Sequence, residues 1–301
     1  MKYDCLCPVA MVLAAIGLTA CQTTTTPLTW SVPPGASTLE INGYPLAYSA
    51  RGSGPTVVFV PGVLTDYRIW AGALAQWESS YRVVAVSPRH FFPEKWQGKA
   101  DDFTVRQHAK DLDAFIEKQG GPVFLVGWSY GAQIAYEAAH RRPDLVKKLV
   151  LVEAPLDSLL VTADAGANAV RIERANATAK YYEAGDIDGG LNYSIDAING
   201  NGAWAATPEP FRQLLRDNAW TVVGIGREDA PRVTCAEFGS LPMPVLLVQG
   251  ELTTPRFRRL VAEESKCLPQ AKVVTIPKAG HPSPIINPVA FKESVTAFLG
   301  E

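Results

Sequence analysis

The chain has 301 residues, enough for one large domain carrying an insertion and for a sizeable apolar interior. Its composition is globular: 47% hydrophobic and 19% charged, with 28 basic against 30 acidic residues and a formal net charge of −2. The charges are interspersed and no internal repeat stands out, which excludes a basic nucleic-acid surface and an acidic partner.

The first residues, MKYDCLCPVAMVLAAIGLTAC, are of a different kind. Lys2 precedes an apolar stretch over residues 8–20, too short for a membrane-spanning helix, which needs about 20 apolar residues. The stretch has the size of a signal-peptide core, although Asp4 offsets Lys2. It ends in Leu18-Thr19-Ala20-Cys21, which resembles the bacterial lipobox, where cleavage precedes a cysteine that becomes lipid-modified. The resemblance implies a lipoprotein signal peptide over residues 1–20 and lipidation at Cys21. Gln22, where an aspartate would retain the protein at the inner membrane, implies the outer membrane of a bacterial cell envelope. One acylated terminus tethers a protein and does not span the bilayer.

Residues 21–37 continue as QTTTTPLTWSVPPGAS after the cysteine, a polar, proline-bearing linker. The mature chain keeps Cys21, Cys235 and Cys267. An exported domain folds under oxidising conditions, so Cys235 and Cys267 are a candidate disulfide.

In LEINGYPLAYSARGSG, Asn42-Gly43 between alternating runs marks a hairpin. Short apolar runs then predict buried parallel strands at TVVFV (56–60), RVVAV (82–86), VFLVG (123–127), KLVLVE (148–153), VLLVQ (245–249) and KVVTI (272–276). Helical patterns over residues 105–119, 131–140, 255–267 and 288–299 fall between or after them. The alternation predicts an α/β fold with a mostly parallel, doubly wound sheet. From residue 156 to about 240 the strand signal disappears and helix-forming sequence replaces it, with Tyr181, Tyr182, Trp204, Phe211 and Trp220 scattered through. Such an insertion is too long for a plain loop. It reads as a helical cap after the sixth strand, dividing the core into residues 38–155 and 241–301.

VGWSYGAQ (126–133) places Ser129 between glycines, after a strand and before an alanine-rich helical run. G-x-S-x-G alone is weak; in a strand–turn–helix context it demands small neighbours, because the serine sits at the tip of a strained turn. A serine hydroxyl needs a base. Of the four histidines, His140 stands beside Arg141 and Arg142 at a helix end, and His108 lies in the charged first turns of another helix; both read as solvated. His281 follows a strand and a glycine-bearing loop, at the end of the sheet where Ser129 also falls, and is the candidate base. Arg89 reads as structural. GIGRED (224–229) lacks the third glycine and the strand of a dinucleotide loop, and no histidine pair has metal-ligand spacing.

From residue 39 to 299 the chain resembles the cap-bearing, serine esterase-like α/β-hydrolases. TVVFVPGVLTDYRIW resembles their strand and His-Gly oxyanion loop, and RVVAVSPRHFFPEKW their Asp-x-Arg-Gly-x-Gly segment. PVFLVGWSYGAQIAYEAAHRRPDLVKKLVLVEAP resembles the elbow, helix and next strand, and IPKAGHPSPIINPVAFKESVTAFL the histidine loop and last helix. The resemblance implies hydrolysis of a small-molecule ester, with no metal or organic cofactor. The oxyanion would be held by the N–H groups of Val63 and Tyr130, neither of which is lost by Pro61 replacing the family's histidine.

The acid departs from the commonest pattern. The loop after VLLVQ usually reads Gly-x-x-Asp and here is GELTTP, with Leu252 in that place and Glu251 one residue early. Some members, certain haloalkane dehalogenases among them, carry the acid after the preceding strand, which is Glu153 here. A carboxylate at the end of a buried strand needs a partner, and His281 would supply it. Glu153 is the expected acid, Glu251 the alternative. Serine at 129, in place of aspartate, argues against dehalogenase and epoxide hydrolase chemistry. Carbon–carbon, thioester or lactone cleavage, and a binding lipoprotein without catalysis, remain the rival readings. An imidazole base with an ordinary pKa of about 6.5 predicts activity rising through about pH 6 to 7.

Overall fold

The computed structural model describes residues 30–160, 165–228 and 231–301. The signal segment, Cys21 and the tract up to residue 29 lie outside the described residues. From Trp30 onward the polar tract is seated, since Trp30 and Ala36 pack against the apolar core.

Strands β1 (Ser37–Ile41) and β2 (Tyr44–Arg51) turn at Asn42 (φ 50°) and Gly43 (φ 75°). Two left-handed residues give the turn whose twist matches its flanking strands. With β3 (Thr56–Val60), β4 (Arg82–Val86), β5 (Val123–Trp128), β6 (Val146–Val152), β7 (Val245–Gly250) and β8 (Lys272–Ile276) they form one eight-stranded sheet. The order is β1-β2-β4-β3-β5-β6-β7-β8. The β1–β2 and β2–β4 pairs are antiparallel and every other pair is parallel.

Alternation along each strand builds two cores. Val58, Val60, Leu125, Leu149 and Leu247 face one side, and Val57, Phe59, Val126, Val150 and Val248 the other. Helix α1 (Ala71–Trp77) covers the second face together with the C-terminal helix (Pro288–Gly300), through Trp77, Phe291 and Phe298. Helices α2 (Val105–Lys118) and α3 (Tyr130–Arg141) cover the first, through Phe115, Ile116 and Ile134. Burying a side chain of this size contributes about 1.5–3 kcal/mol. Strand order reverses about β3, with β4 on one side and β5 on the other, and crevices form at such a reversal beyond the strands' carboxyl ends.

Between β6 and β7 lie α4 (Ala165–Glu183), α5 (Ile187–Asn199), α6 (Ala203–Ala206), α7 (Glu209–Asp217), α8 (Thr221–Arg227) and α9 (Cys235–Gly239). Of the aromatics here, Tyr182 and Trp204 are buried while Tyr181 and Phe211 are exposed. The segment is fastened to the core by polar contacts. Asn218 Nδ2 donates to Asp66 at 2.6 Å, Arg68 bridges Asp66 and Asp217 at 2.8 Å each, and the Phe92 N–H donates to Asn218 at 2.9 Å. Cys235 in α9 is bonded through sulfur to Cys267, the last residue of α10 (Pro255–Cys267), 32 residues on. The fold is completed by α11 (Ser283–Ile286) and α12, the C-terminal helix named above. Among the described residues no helix is long and apolar enough to cross a membrane.

Candidate active site

Strand β5 delivers Ser129 to a turn that few residues can occupy. Its φ of 54° and ψ of −122° are strained for a residue with a side chain, and its N–H is held by the Val152 carbonyl at 2.9 Å. The turn closes only because its neighbours are small. A Cβ on Gly127 would lie 2.4 Å from the Gly131 carbonyl oxygen, and one on Gly131 would lie 2.3 Å from that of Pro61. Serine at the N-cap of a helix ordinarily bonds the first turn through its hydroxyl. Ser129 makes no such bond, and its Oγ stands 3.0 Å from His281 Nε2.

His281 lies in the loop between β8 and α11, its ring stacked on Phe257 with centroids 3.9 Å apart and planes 8° apart. Trp128 Nε1 donates to the His281 carbonyl at 3.1 Å, fixing the loop. On the other side of the ring, Nδ1 is 2.6 Å from Glu153 Oε2. Nδ1–H donates to the carboxylate, which leaves Nε2 to accept the serine proton. Glu153 follows β6 with φ 47° and is 0% exposed. Its other donors are the Gly250 N–H at 2.7 Å and the Thr253 hydroxyl at 2.8 Å. A carboxylate out of water demands such partners.

Glu251, the alternative acid, is exposed and accepts from the Lys278 N–H at 2.7 Å. It is not part of the hydrogen-bonded line. Leu252, in the place of the commonest acid, is 68% exposed. The end of β7 meets Glu153 through its backbone, the Gly250 N–H, and not through either of these side chains.

The loop after β3 lies against the serine: a Cβ on Gly62 would be 3.2 Å from Ser129 Cβ. Thr65 folds this loop back through its N–H and hydroxyl, both donated to the Gly62 carbonyl, at 3.3 and 2.8 Å. Leu64, at φ 67°, donates its N–H to the Thr221 hydroxyl of α8 at 2.9 Å. Val63 thus stands in a loop pinned on both sides. Tyr130 opens α3, where the first N–H groups have no intrahelical acceptor. Val63 belongs to the loop that lies against the serine, and Tyr130 is the serine's neighbour at the helix start.

His108 is buried at 2% exposure, against the solvated reading of its charged neighbourhood. Val105, His108, Leu112 and Phe115 share the inward face of α2, a helical repeat that outranks the charges beside it. Its Nδ1 is 3.1 Å from the Tyr130 hydroxyl and its Nε2 is 3.1 Å from the Arg89 carbonyl. Burial, above all, pushes its pKa down to about 3, so the ring is neutral. Tyr130 also reaches Glu228 at 3.2 Å, and burial first and that carboxylate second raise its phenol well above the ordinary range. His140 is exposed, and Arg89 is a structural arginine, paired with Asp111 and Asp102 at 2.8 Å each. Thr253, Phe257 and Thr221 escape a reading of the sequence; only the GELTTP loop next to β7 hinted at the first. Among the described residues no group of three His, Cys, Asp or Glu side chains could hold a metal ion.

Comparison with known proteins gives the family and the fold. The model of the alpha/beta hydrolase family matches residues 57–293. A 2-(acetamidomethylene)succinate hydrolase of Mesorhizobium japonicum is 24% identical over 87% of this chain and 94% of its own. A bromoperoxidase from Bacillus anthracis superposes with a TM-score of 0.73 at 18% identity, covering 88% of this chain and 100% of that one. A thermophilic esterase from Thermogutta terrifontis does so with a TM-score of 0.68 at 19% identity, covering 88% and 97%. With a family match running from β3 into α12, and a strained serine elbow, histidine loop and parallel sheet in their places, this chain belongs to the α/β-hydrolase family.

Proposed function

We propose that the protein is a serine hydrolase that cleaves carboxylic esters through an acyl-serine intermediate. The observation that carries this reading is the continuous line from Ser129 Oγ to His281 at 3.0 Å and from His281 to Glu153 at 2.6 Å. As the Ser129 oxygen attacks the ester carbonyl carbon, its proton passes to His281 Nε2. Glu153 holds the tautomer and stabilises the imidazolium. The Val63 and Tyr130 N–H groups stabilise the oxyanion, a contribution in which each such donor is worth about 10²–10³ in turnover. The imidazolium then protonates the departing alcohol. Water, losing its proton to the same nitrogen, attacks the acyl carbon and releases the acid and the free serine. A hydrolase and an esterase among the similar proteins support the reaction class.

The test is labelling of the full-length chain in detergent with a fluorophosphonate, read by intact mass, beside Ser129→Ala. One adduct on the wild type and none on the variant is the expected result. A folded wild type that takes no adduct would move the function to non-catalytic binding.

We propose, too, that Cys21 is lipid-modified and tethers the domain to the outer membrane, on the strength of Leu18-Thr19-Ala20-Cys21 after an apolar stretch. Cys21→Ser should release the protein from the membrane fraction; persistence there sinks the tether.

A further inference from the structure

Two peptide planes meet at Val63, and each is held by a buried threonine that no step of the reaction uses. The plane of Gly62 and Val63 is held by Thr65, whose N–H and hydroxyl both donate to the Gly62 carbonyl, at 3.3 and 2.8 Å. In a trans peptide the carbonyl and the N–H point opposite ways, so fixing that carbonyl fixes the direction of the Val63 N–H. Among the described residues that N–H donates to no acceptor of the chain. The plane of Val63 and Leu64 is held from the helical segment between β6 and β7. There the Leu64 N–H donates to the Thr221 hydroxyl at 2.9 Å, across 157 residues of sequence.

Thr221 is itself firmly placed. It is 1% exposed, and its hydroxyl hydrogen goes to the Asn218 carbonyl at 2.7 Å, which leaves the oxygen free to accept from Leu64. Asn218 donates to Asp66 at 2.6 Å, and Asp217 pairs with Arg68 at 2.8 Å. Asp217, Asn218 and Thr221, at the join of α7 and α8, thereby hold the loop at residues 64, 66 and 68. Leu64 stands at φ 67°, a conformation that a leucine keeps only where its surroundings impose it. It is also buried, and a buried N–H without an acceptor is costly. Loss of the Thr221 hydroxyl therefore removes the restraint on Leu64 and gives its peptide a reason to turn.

We propose that Thr221 is a positioning residue of the oxyanion site. Through the Leu64 N–H it holds the Val63 N–H in the direction that the developing negative charge requires, so the site is complete only while the helical segment is docked on the loop. The inference rests on the acyl-serine reading, in which Val63 is a donor, and adds that this donor is set from outside the sheet and its loops. Thr221 makes no hydrogen bond with Ser129, His281 or Glu153, so its loss should leave the base and its pH dependence alone.

The experiment is the rate of labelling by a fluorophosphonate, which does not depend on knowing the natural ester. The Ser129 oxygen bonds to phosphorus, its proton passes to His281 and fluoride leaves, while negative charge builds on the phosphoryl oxygen in the oxyanion site. Rate against reagent concentration gives a maximal rate and a half-saturating concentration for the full-length chain in detergent. The wild type is compared with Thr221→Val, the smaller Thr221→Ala, and Thr221→Ser, which keeps the acceptor. The two variants without a hydroxyl should label about 10- to 100-fold more slowly at saturation, the scale of a misplaced donor, with half-saturation within about threefold. Thr221→Ser should stay within about threefold of the wild type, and the pH midpoint of labelling should be the same in all. Wild-type rates in the folded valine or alanine variant overturn the proposal, as does a serine variant as slow as they are or a loss that comes with a shifted pH midpoint. Unfolding of both hydroxyl-free variants, read from their melting curves, would make Thr221 a structural residue and overturn it too. A labelled wild type with any of these outcomes defeats the positioning role alone, whereas a folded wild type that takes no label defeats the hydrolase reading and this inference with it.

Discussion

The floor of the site and the helical segment above it treat their buried polar groups in opposite ways. On the floor the three groups of the catalytic line are all engaged: Glu153 accepts from His281, Gly250 and Thr253, and His281 spans Glu153 and Ser129. In the segment above, Arg174 Nε and the Tyr182 hydroxyl are buried without partners. The difference separates what the chain completes alone from what it leaves to be completed. Preorganised dipoles lower a barrier because they need no rearrangement during the reaction, so the floor must be finished before substrate arrives. A binding surface gains selectivity from groups that only the right ligand satisfies.

Breaking the floor should therefore cost the most. Ser129→Ala should lower kcat by about 10⁴–10⁶ with the melting temperature nearly unchanged, measured on any ester the wild type turns over. Retention of more than a few per cent of the rate would exclude Ser129 as the nucleophile. Glu153→Gln should cost about 10⁴ by disturbing the tautomer and charge of His281, whereas Glu251→Gln should stay within about twofold. Equal losses in the two variants would contradict the geometry at the end of β6.

Between floor and roof runs the sulfur bond from α9 to α10. Cys235→Ser with Cys267→Ser should lower unfolding stability by about 3–4 kcal/mol, the loop-closure contribution for a span of this size, and leave kcat close to wild type. Denaturant titration with an unaltered midpoint would show that the crosslink adds nothing.

The smallest effect sharpens the comparison within one packing layer. Glu264 in α10 is as buried as Glu153, yet neither of its carboxylate oxygens has a partner. Burial foremost, with Glu153 and Asp157 nearby, raises its pKa to about 8. Because the folded value lies above the unfolded one, its contribution is complete below about pH 4.5 and is lost as pH rises toward 8. Glu264→Gln, which cannot titrate, should flatten that decline by on the order of 2 kcal/mol. His108 works the other way. With a folded pKa of about 3, it favours the folded state above about pH 6.5 and withdraws that support as pH falls. Unfolding midpoints at pH 5, 6.5 and 8 read both; an unchanged pH slope in Glu264→Gln would mean that its carboxyl is not held protonated.

Much of this is legible in the sequence. The hairpin turn at Asn42-Gly43 and the parallel strands follow from local chemistry: a turn that needs two left-handed residues, and apolar runs that survive only when covered on both faces. The elbow was legible because steric exclusion at Gly127 and Gly131 leaves few alternatives. His108 was misread because charged neighbours one residue away point outward on a helix whose other face is buried. The pinning of Leu64 by Thr221 was beyond reach, since it joins residues 157 apart.

The sequence by itself determined the sheet, the elbow and the two residues, Ser129 and His281, that such a sheet brings to one end, because each depends on local sterics or on hydrophobic periodicity. Only the tertiary structure decided between Glu153 and Glu251, since it brings the end of β6 to the imidazole and leaves Glu251, at the end of β7, exposed and held by the Lys278 N–H. Pairing across the fold is a property of distance, and distance between remote residues is set by packing.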